Sequence, residues 1–237
     1  MKGSDRAFFA AIEASRSHTA NYATSREFRI EWLGLTDRSR DYLAQQIRSF
    51  GQLIGSVTQT LAGWRVLDVG CGDGRWLRRI VDYDAKPEDV VGIDISDERF
   101  EIGRAKNPLI EMAKTDGNSI PFENEKFNLV TQFVCFSNIP TIALRERTAN
   151  EMDRVLSKGG YVFWWDLPRT TAPSDLGAPI EPTDYFRWPI RRLEMAQNPK
   201  PSVGLRPFRG AKFIGGLVDL FKCTETHTAA LIGPKPD

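Results

Sequence analysis

Cysteine and histidine are scarce in this sequence: three cysteines, Cys71, Cys135 and Cys223, and two histidines, His18 and His227, in 237 residues. The cysteines stand far apart and none has metal-ligand spacing, so neither a disulfide framework nor a metal site is expected, and a reducing cytoplasm is. Charge of one sign is not in excess either. With 32 basic residues against 31 acidic ones, no strong field draws the chain to nucleic acid. Long apolar runs are missing, and no stretch approaches membrane-spanning length. The start MKGSDRAFFAAIEASRS has a single basic residue before Asp5 and lacks the long apolar run of a signal peptide. The reading is a soluble, cytoplasmic protein whose length suits one large core with an added cap.

The dinucleotide fingerprint G-x-G-x-x-G is also absent, and what replaces it organises the chain. In Arg65 to Leu77, RVLDVGCGDGRWL, an apolar β-run breaks into Gly70, Gly72 and Gly74 before a helix begins, and Arg75 stands where a third fingerprint glycine would be. Val66, Leu67 and Val69 suit a strand buried on both faces. The glycines let the backbone turn sharply and approach a ligand, and Asp73 is placed to cap the next helix. Asp68, two residues before the first glycine, would repel a pyrophosphate and hold a ligand that carries an ammonium group. This is a nucleotide-cofactor corner of an unusual kind, and a hydride-transfer enzyme is disfavoured by Asp68 together with Arg75.

The remaining chain reads as alternating strands and helices. Residues 4–16 suit a short helix, and Thr36-Asp37 opens a longer one to about Leu61, with Tyr42, Leu43, Ile47, Phe50, Leu53, Ile54 and Val57 at helical spacing. Residues 1–61 are read as a helical lid, in which Tyr22, Phe28 and Trp32 are candidate lining or packing aromatics. A second strand over 89–96 ends in Asp94, 24 positions after Gly70, where a carboxylate can accept both hydroxyls of a ribose. A helix over 97–106, capped from Ser96 and Asp97, leads to a third strand at 109–114. Asp116 beyond it could accept from an adenine amino group, and Gly117 lets the backbone approach the ring. Phe127 to Phe136 suits a central parallel strand, 142–156 a helix, and YVFWWD a fifth strand. A helical stretch is expected over 184–197 inside an insertion at about 167–210, another apolar helical run at 213–221, and a last strand at 223–232. The core is 62–237, and the fold class is α/β: a doubly wound, Rossmann-like, mostly parallel sheet of the seven-stranded type.

VLDVGCGDG, VGIDIS, TDGNSIPF, FNLVTQFVCFSNI and EMDRVLSKGGYVFWWD together resemble the successive motifs of the class I S-adenosylmethionine-dependent methyltransferases that act on small molecules. The segments QFVCFS, an aromatic fifth strand ending in Asp166, and Thr226 to Pro236 are similar to a bacterial subgroup associated with cell-surface glycans or specialised metabolites. The resemblance implies S-adenosylmethionine as cofactor and S-adenosylhomocysteine as product. It places Asp68 and the backbone of Gly70 and Gly72 on the methionine part, Asp94 on the ribose, Ile95 on the adenine face, and Asp116 with Gly117 on the adenine edge. The backbone at Gln132 and Phe133 would lie near the methionine ammonium. Asn128 departs from the family's usual Asp at a strand start away from the cofactor. Ser137-Asn138 stands where relatives often carry a histidine or acid, which leaves the base unassigned.

The implied reaction moves a methyl group to a small-molecule acceptor, with a hydroxyl favoured over an amine. For the acceptor's proton the candidates are Asp166, by its place at the strand end, and His18 in the lid, followed by Tyr185 and His227. Asp166 could equally cap or bridge the loop at Pro168-Arg169. No N/D-P-P-Y/F sequence follows the fourth strand, which disfavours base methylation. A homodimer is compatible with the 167–210 segment. A non-catalytic cofactor-binding partner protein stays open.

Overall fold

The computed structural model describes residues 36–116, 118–169, 177, 179–193 and 227–236, together with Ala10 and Glu13. The expected helix at 4–16, the lid aromatics, His18, Gly117 and the run at 213–221 therefore lie outside the described residues. Within them, eleven longer elements follow in chain order. They are α1 (Asp37–Gly55), β1 (Val66–Val69), α2 (Arg75–Val81), β2 (Val90–Asp94), α3 (Asp97–Lys106), β3 (Glu111–Lys114), β4 (Phe127–Phe133), α4 (Ile142–Val155), β5 (Leu156–Asp166), β6 (Ile190–Leu193) and β7 (Thr228–Ile232).

Seven strands make one sheet in the order β3-β2-β1-β4-β5-β7-β6. The first five run parallel, and β7 enters antiparallel between β5 and β6. All four residues of β1 and all five of β2 are buried, as strands covered on both faces require. On one face α1 and α2 pack Phe50, Leu53, Trp76, Leu77 and Ile80 against Val66, Leu129, Phe163 and Trp165. On the other, α4 lays Ala149, Met152 and Val155 on Val130, Val162 and Trp164. The order reverses between β1 and β4, so the carboxyl ends of those strands open the crevice where an α/β sheet binds ligands.

Local signals explain the helix ends. Thr36 and Ser39 form a reciprocal capping box at the start of α1. Ser56 Oγ donates to the Leu53 carbonyl, so α1 stops at Gly55, short of the expected Leu61. Ser96 caps α3, which spans the expected 97–106. The helix expected over 184–197 is replaced by a short 3-10 turn at Pro182–Asp184 and the edge strand β6. Pro189 cannot donate into a helix, and Ile190 and Leu193 instead pair with Ile232 and Ala229 of β7.

Gly92 in β2 is where α2 approaches the sheet: a Cβ there would lie 2.6 Å from Leu77 Cδ1 and 2.7 Å from Cys71 Sγ. Both side chains are buried, so Gly92→Ala must push α2 outward. The expected cost is ~1–3 kcal/mol of unfolding free energy, read by urea denaturation. An unchanged midpoint would mean that α2 yields freely.

Candidate cofactor site at the carboxyl edge of the sheet

After Val69 the chain turns through three glycines with positive φ, Gly70 at 75°, Gly72 at 58° and Gly74 at 72°, a region that L side chains rarely adopt. The turn is anchored on β2: Gly70 N and Cys71 N donate to the Ile93 carbonyl at 2.8 and 3.0 Å. Gly72 N donates to Asp94 Oδ2 at 2.7 Å, and Ser96 N donates to Asp94 Oδ1 at 2.8 Å. One carboxylate thus ties the glycine turn to the start of α3. Each of its oxygens keeps a second lone pair, which suits two vicinal hydroxyls.

The expected cap from Asp73 is not formed. Gly74 itself is the N-cap of α2, without a side-chain hydrogen bond, because its left-handed conformation starts the helix one residue later. Asp73 instead takes an ion pair from Lys106 of α3 at 2.5 Å, and its carbonyl accepts from Arg78 and Asn107.

Asp68 is 2% exposed and opposite Thr131 of β4, whose hydroxyl donates to Asp68 Oδ1 at 2.7 Å. Burial pushes its carboxyl up to about 7, against that hydrogen bond and with help from the Asp94 charge. Gln132, the β4 partner of Val69, accepts from Cys135 N at 3.0 Å, while its Nε2 is buried with no hydrogen-bond partner. A Cβ at Gly70 would lie 2.8 Å from Cys135 Sγ and one at Gly72 would lie 2.6 Å from the Arg99 guanidinium. The turn is a cradle that only glycine leaves open. Two acids, one unsatisfied buried amide and an open backbone fit an aminoalkyl group joined to a nucleoside, which is what S-adenosylmethionine presents.

Ile95 is half-buried directly after Asp94, and Asp116 is half-buried two residues past β3. Asp116 Oδ1 accepts from Asn118 N at 3.0 Å, which fixes the loop that follows β3. Phe133 ends β4 and stacks on Trp76 of α2, with ring centroids 3.9 Å apart and planes 6° from parallel. Asn128 lies at the opposite edge, where its side chain accepts from Arg65 N.

The loop after β4 is built around Asp166. This residue is 0% exposed; Oδ2 accepts from Phe136 N at 2.8 Å and Ser137 N at 3.2 Å, and Oδ1 accepts from Leu167 N at 2.8 Å. Burial raises its carboxyl to about 6, against hydrogen bonds from the Ser137 hydroxyl and these backbone amides. The arrangement holds a loop in which Val134 has φ 57°, a strained state for a β-branched residue. Val134 N donates to the Trp165 carbonyl at 2.7 Å and the Val134 carbonyl accepts from Asn138 Nδ2 at 2.7 Å. Sequence reasoning missed this, since only the pairing of β4 with β5 brings 134–138 and 166 together. Tyr185 lies on the other face, where its hydroxyl accepts from the buried Arg145 at 3.1 Å. Among the described residues no group of three His, Cys, Asp or Glu side chains could hold a metal ion, and no helix is long and apolar enough to cross a membrane.

Asp68 and Asp166 set a pH dependence. Both titrate in the fold above the ordinary carboxylate value of 3.8, so between about pH 4 and its raised value each is more protonated in the native chain than in the unfolded one, and its contribution to stability falls as pH rises. In Asp68→Asn that residue's share of the slope is gone. The melting temperature of this variant is expected to drop less between about pH 5 and pH 7 than that of the unaltered chain. Equal drops would show that Asp68 is already ionised in the fold.

Comparison with known proteins gives the same reading as this geometry. The family described as "Methyltransferase domain" matches residues 66–160, which span β1 to β5. A demethylmenaquinone methyltransferase of Staphylococcus aureus (strain MRSA252) is 34% identical over 116 residues, 47% of this chain and 46% of that protein. The match thus spans about half the length of the curated relative. In three dimensions, a chain from the solved complex of the Haloferax volcanii Trm112 methyltransferase activator is similar at a TM-score of 0.57, with 16% identity over 81% of this chain and 89% of that one. That likeness extends the shared fold beyond the family match. Glycine turn, paired acids and sheet order agree with that match: residues 66–160 are similar to a methyltransferase domain.

Proposed function

We propose that this protein transfers a methyl group from S-adenosylmethionine to a hydroxyl of a small molecule, a sugar or a specialised metabolite. The observation that carries the reading is the cradle of Asp68, Gly70, Gly72 and Asp94 at the carboxyl edge of the sheet, where two buried carboxylates flank a turn with room for no side chain. Asp94 would hold the ribose, Ile95, Asp116 and Gly117 the adenine, and Asp68 with the backbone near Gly70, Gln132 and Phe133 the aminoalkyl end. The bound cofactor supplies a methyl group already activated on a sulfonium. The protein then has to align the acceptor with the carbon–sulfur bond and exclude water, which are effects of position.

An oxygen acceptor must also lose a proton. Asp166 stands by position as a candidate, yet three backbone amides and the Ser137 hydroxyl already bind its carboxylate, so we assign it the holding of the 134–138 loop. His18 stays a candidate outside the described residues. A second reading, an acceptor built on an aromatic ring, is favoured by the rings of Phe133 and Trp76 beside the cradle. The name of the Staphylococcus aureus relative, demethylmenaquinone methyltransferase, is compatible with it.

Calorimetric titration tests the cofactor first. S-adenosylmethionine and S-adenosylhomocysteine are expected to bind with micromolar affinity and NAD not at all, and Asp94→Ala is expected to weaken both by about tenfold or more, equivalent to ~1.4 kcal/mol. Unchanged affinity in that variant would remove Asp94 from the ribose, and no binding to the unaltered chain would end the enzyme reading.

A further inference from the structure

One cluster of polar groups near the cradle serves none of the roles above. It lies between the first half of α1 and the carboxyl end of β5, where Asp166 pairs with Thr228 at the start of β7. His227 precedes that pair and stacks on Trp165, centroids 5.3 Å apart and planes 18° from parallel. Tyr42 of α1 meets the edge of His227 at 4.9 Å and takes a hydrogen bond from Gln46 Nε2 at 3.0 Å. Gln46 is 1% exposed. Its Oε1 and the Nδ1 of His227 are both shut off from solvent without a hydrogen-bond partner. A buried polar atom left unpaired is costly, and the Nε1 of Trp165 beside them is likewise without a hydrogen-bond partner, so three occur in this cluster.

The position is right for an acceptor. Trp165 pairs with Phe133 across β5 and β4, and Gln132 pairs with Val69 across β4 and β1. The backbone of Trp165 therefore stands two strand spacings, roughly 10 Å, from the end of β1 where the glycine turn begins. The cluster's chemistry is selective: a few unsatisfied polar atoms are set among the rings of Tyr42, Trp165 and His227. A sugar, with a hydroxyl on most carbons, would leave several groups unpaired there. A flat ring with one or two hydroxyls would not.

We propose that Gln46 and His227 form the acceptor subsite, and that His227 Nδ1 takes the proton of a hydroxyl carried on an aromatic ring. The inference rests on the methyl-transfer reading above and narrows its acceptor. Burial pushes the His227 imidazole down to about 4, so the ring is neutral at neutral pH, and with its proton on Nε2 the Nδ1 atom is an acceptor. As the methyl carbon bonds to the hydroxyl oxygen, the carbon–sulfur electron pair returns to sulfur. The hydroxyl proton passes to Nδ1 and from the imidazolium to water. Gln46 Oε1 accepts from a second hydroxyl, while its Nε2 keeps its hydrogen bond to Tyr42.

With only two histidines in the chain, the test is direct. The full chain, labelled with nitrogen-15 in its histidine rings and loaded with S-adenosylhomocysteine, is titrated with 2-naphthol and, separately, with methyl α-D-glucopyranoside. His227→Phe identifies the His227 signals by their loss while keeping a ring on Trp165. 2-Naphthol is expected to move the His227 ring signals and not those of His18, and its dissociation constant to rise about tenfold or more in both His227→Phe and Gln46→Leu. S-adenosylhomocysteine affinity should stay within about twofold in both, which also shows that the variants are folded. The proposal is overturned if 2-naphthol fails to bind while S-adenosylhomocysteine does, if it binds without moving the His227 signals, if both variants bind it as well as the unaltered chain, or if the sugar moves those signals instead. Failure of S-adenosylhomocysteine to bind the unaltered chain would count against the methyl-transfer reading; 2-naphthol titrated alone then reads the subsite by the same outcomes.

Discussion

The Asp94 carboxylate is the joint on which the rest of the site depends. It sits at the end of β2, accepts from Gly72 on one oxygen and from Ser96 on the other, and so fixes two loops that share no sequence neighbourhood. A single buried anion with two amide donors is a strong tie, since hydrogen bonds to an ionised group are roughly twice as strong as neutral ones. Its placement also brings Asp94 within electrostatic reach of Asp68. The Asp94 charge raises the cost of ionising Asp68, and a cationic ligand would relieve that repulsion.

The cradle was legible in the sequence because its parts are local. Gly70, Gly72 and Gly74 declare a turn by their lack of a Cβ, Ser96 declares a helix start by its hydroxyl, and the apolar run from Val66 declares a buried strand. Asp73 misled for the same reason: an acid before a helix is usually a cap, and only the arrival of Lys106, 33 residues later, gives it another partner. The strand β6 shows the limit most clearly. Ile190 and Leu193 have helical spacing in sequence, and pairing with a strand near the other end of the chain decides otherwise. The cluster at His227 was equally hidden. Tyr42, Trp165 and His227 are more than a hundred residues apart at the extremes, and no periodicity connects them.

Two layers of aromatic rings divide the labour around the sheet. On one face Phe50, Trp76, Phe133 and Phe163 contact one another under α1 and α2, continuing toward Trp165 and Tyr42. On the other, Phe136, Trp164, Tyr185 and Phe186 close the loop after β4 against the 182–186 segment, where Arg145 ties Tyr185 and the Ile139 carbonyl together. The alternation of Trp164 and Trp165 along β5 is what serves both layers at once, since successive side chains point to opposite faces. Rigid, large rings at the strand ends give the site a fixed floor.

The place of β7 within the sheet has a consequence for how the molecule comes into being. It is made after every other described strand, yet its neighbours on both sides, β5 and β6, were synthesised earlier. Until it arrives from the ribosome, β5 presents an unpaired row of backbone groups along a tryptophan-rich strand, an edge of the kind that invites pairing with other chains. The cofactor cradle, by contrast, is assembled from residues translated long before.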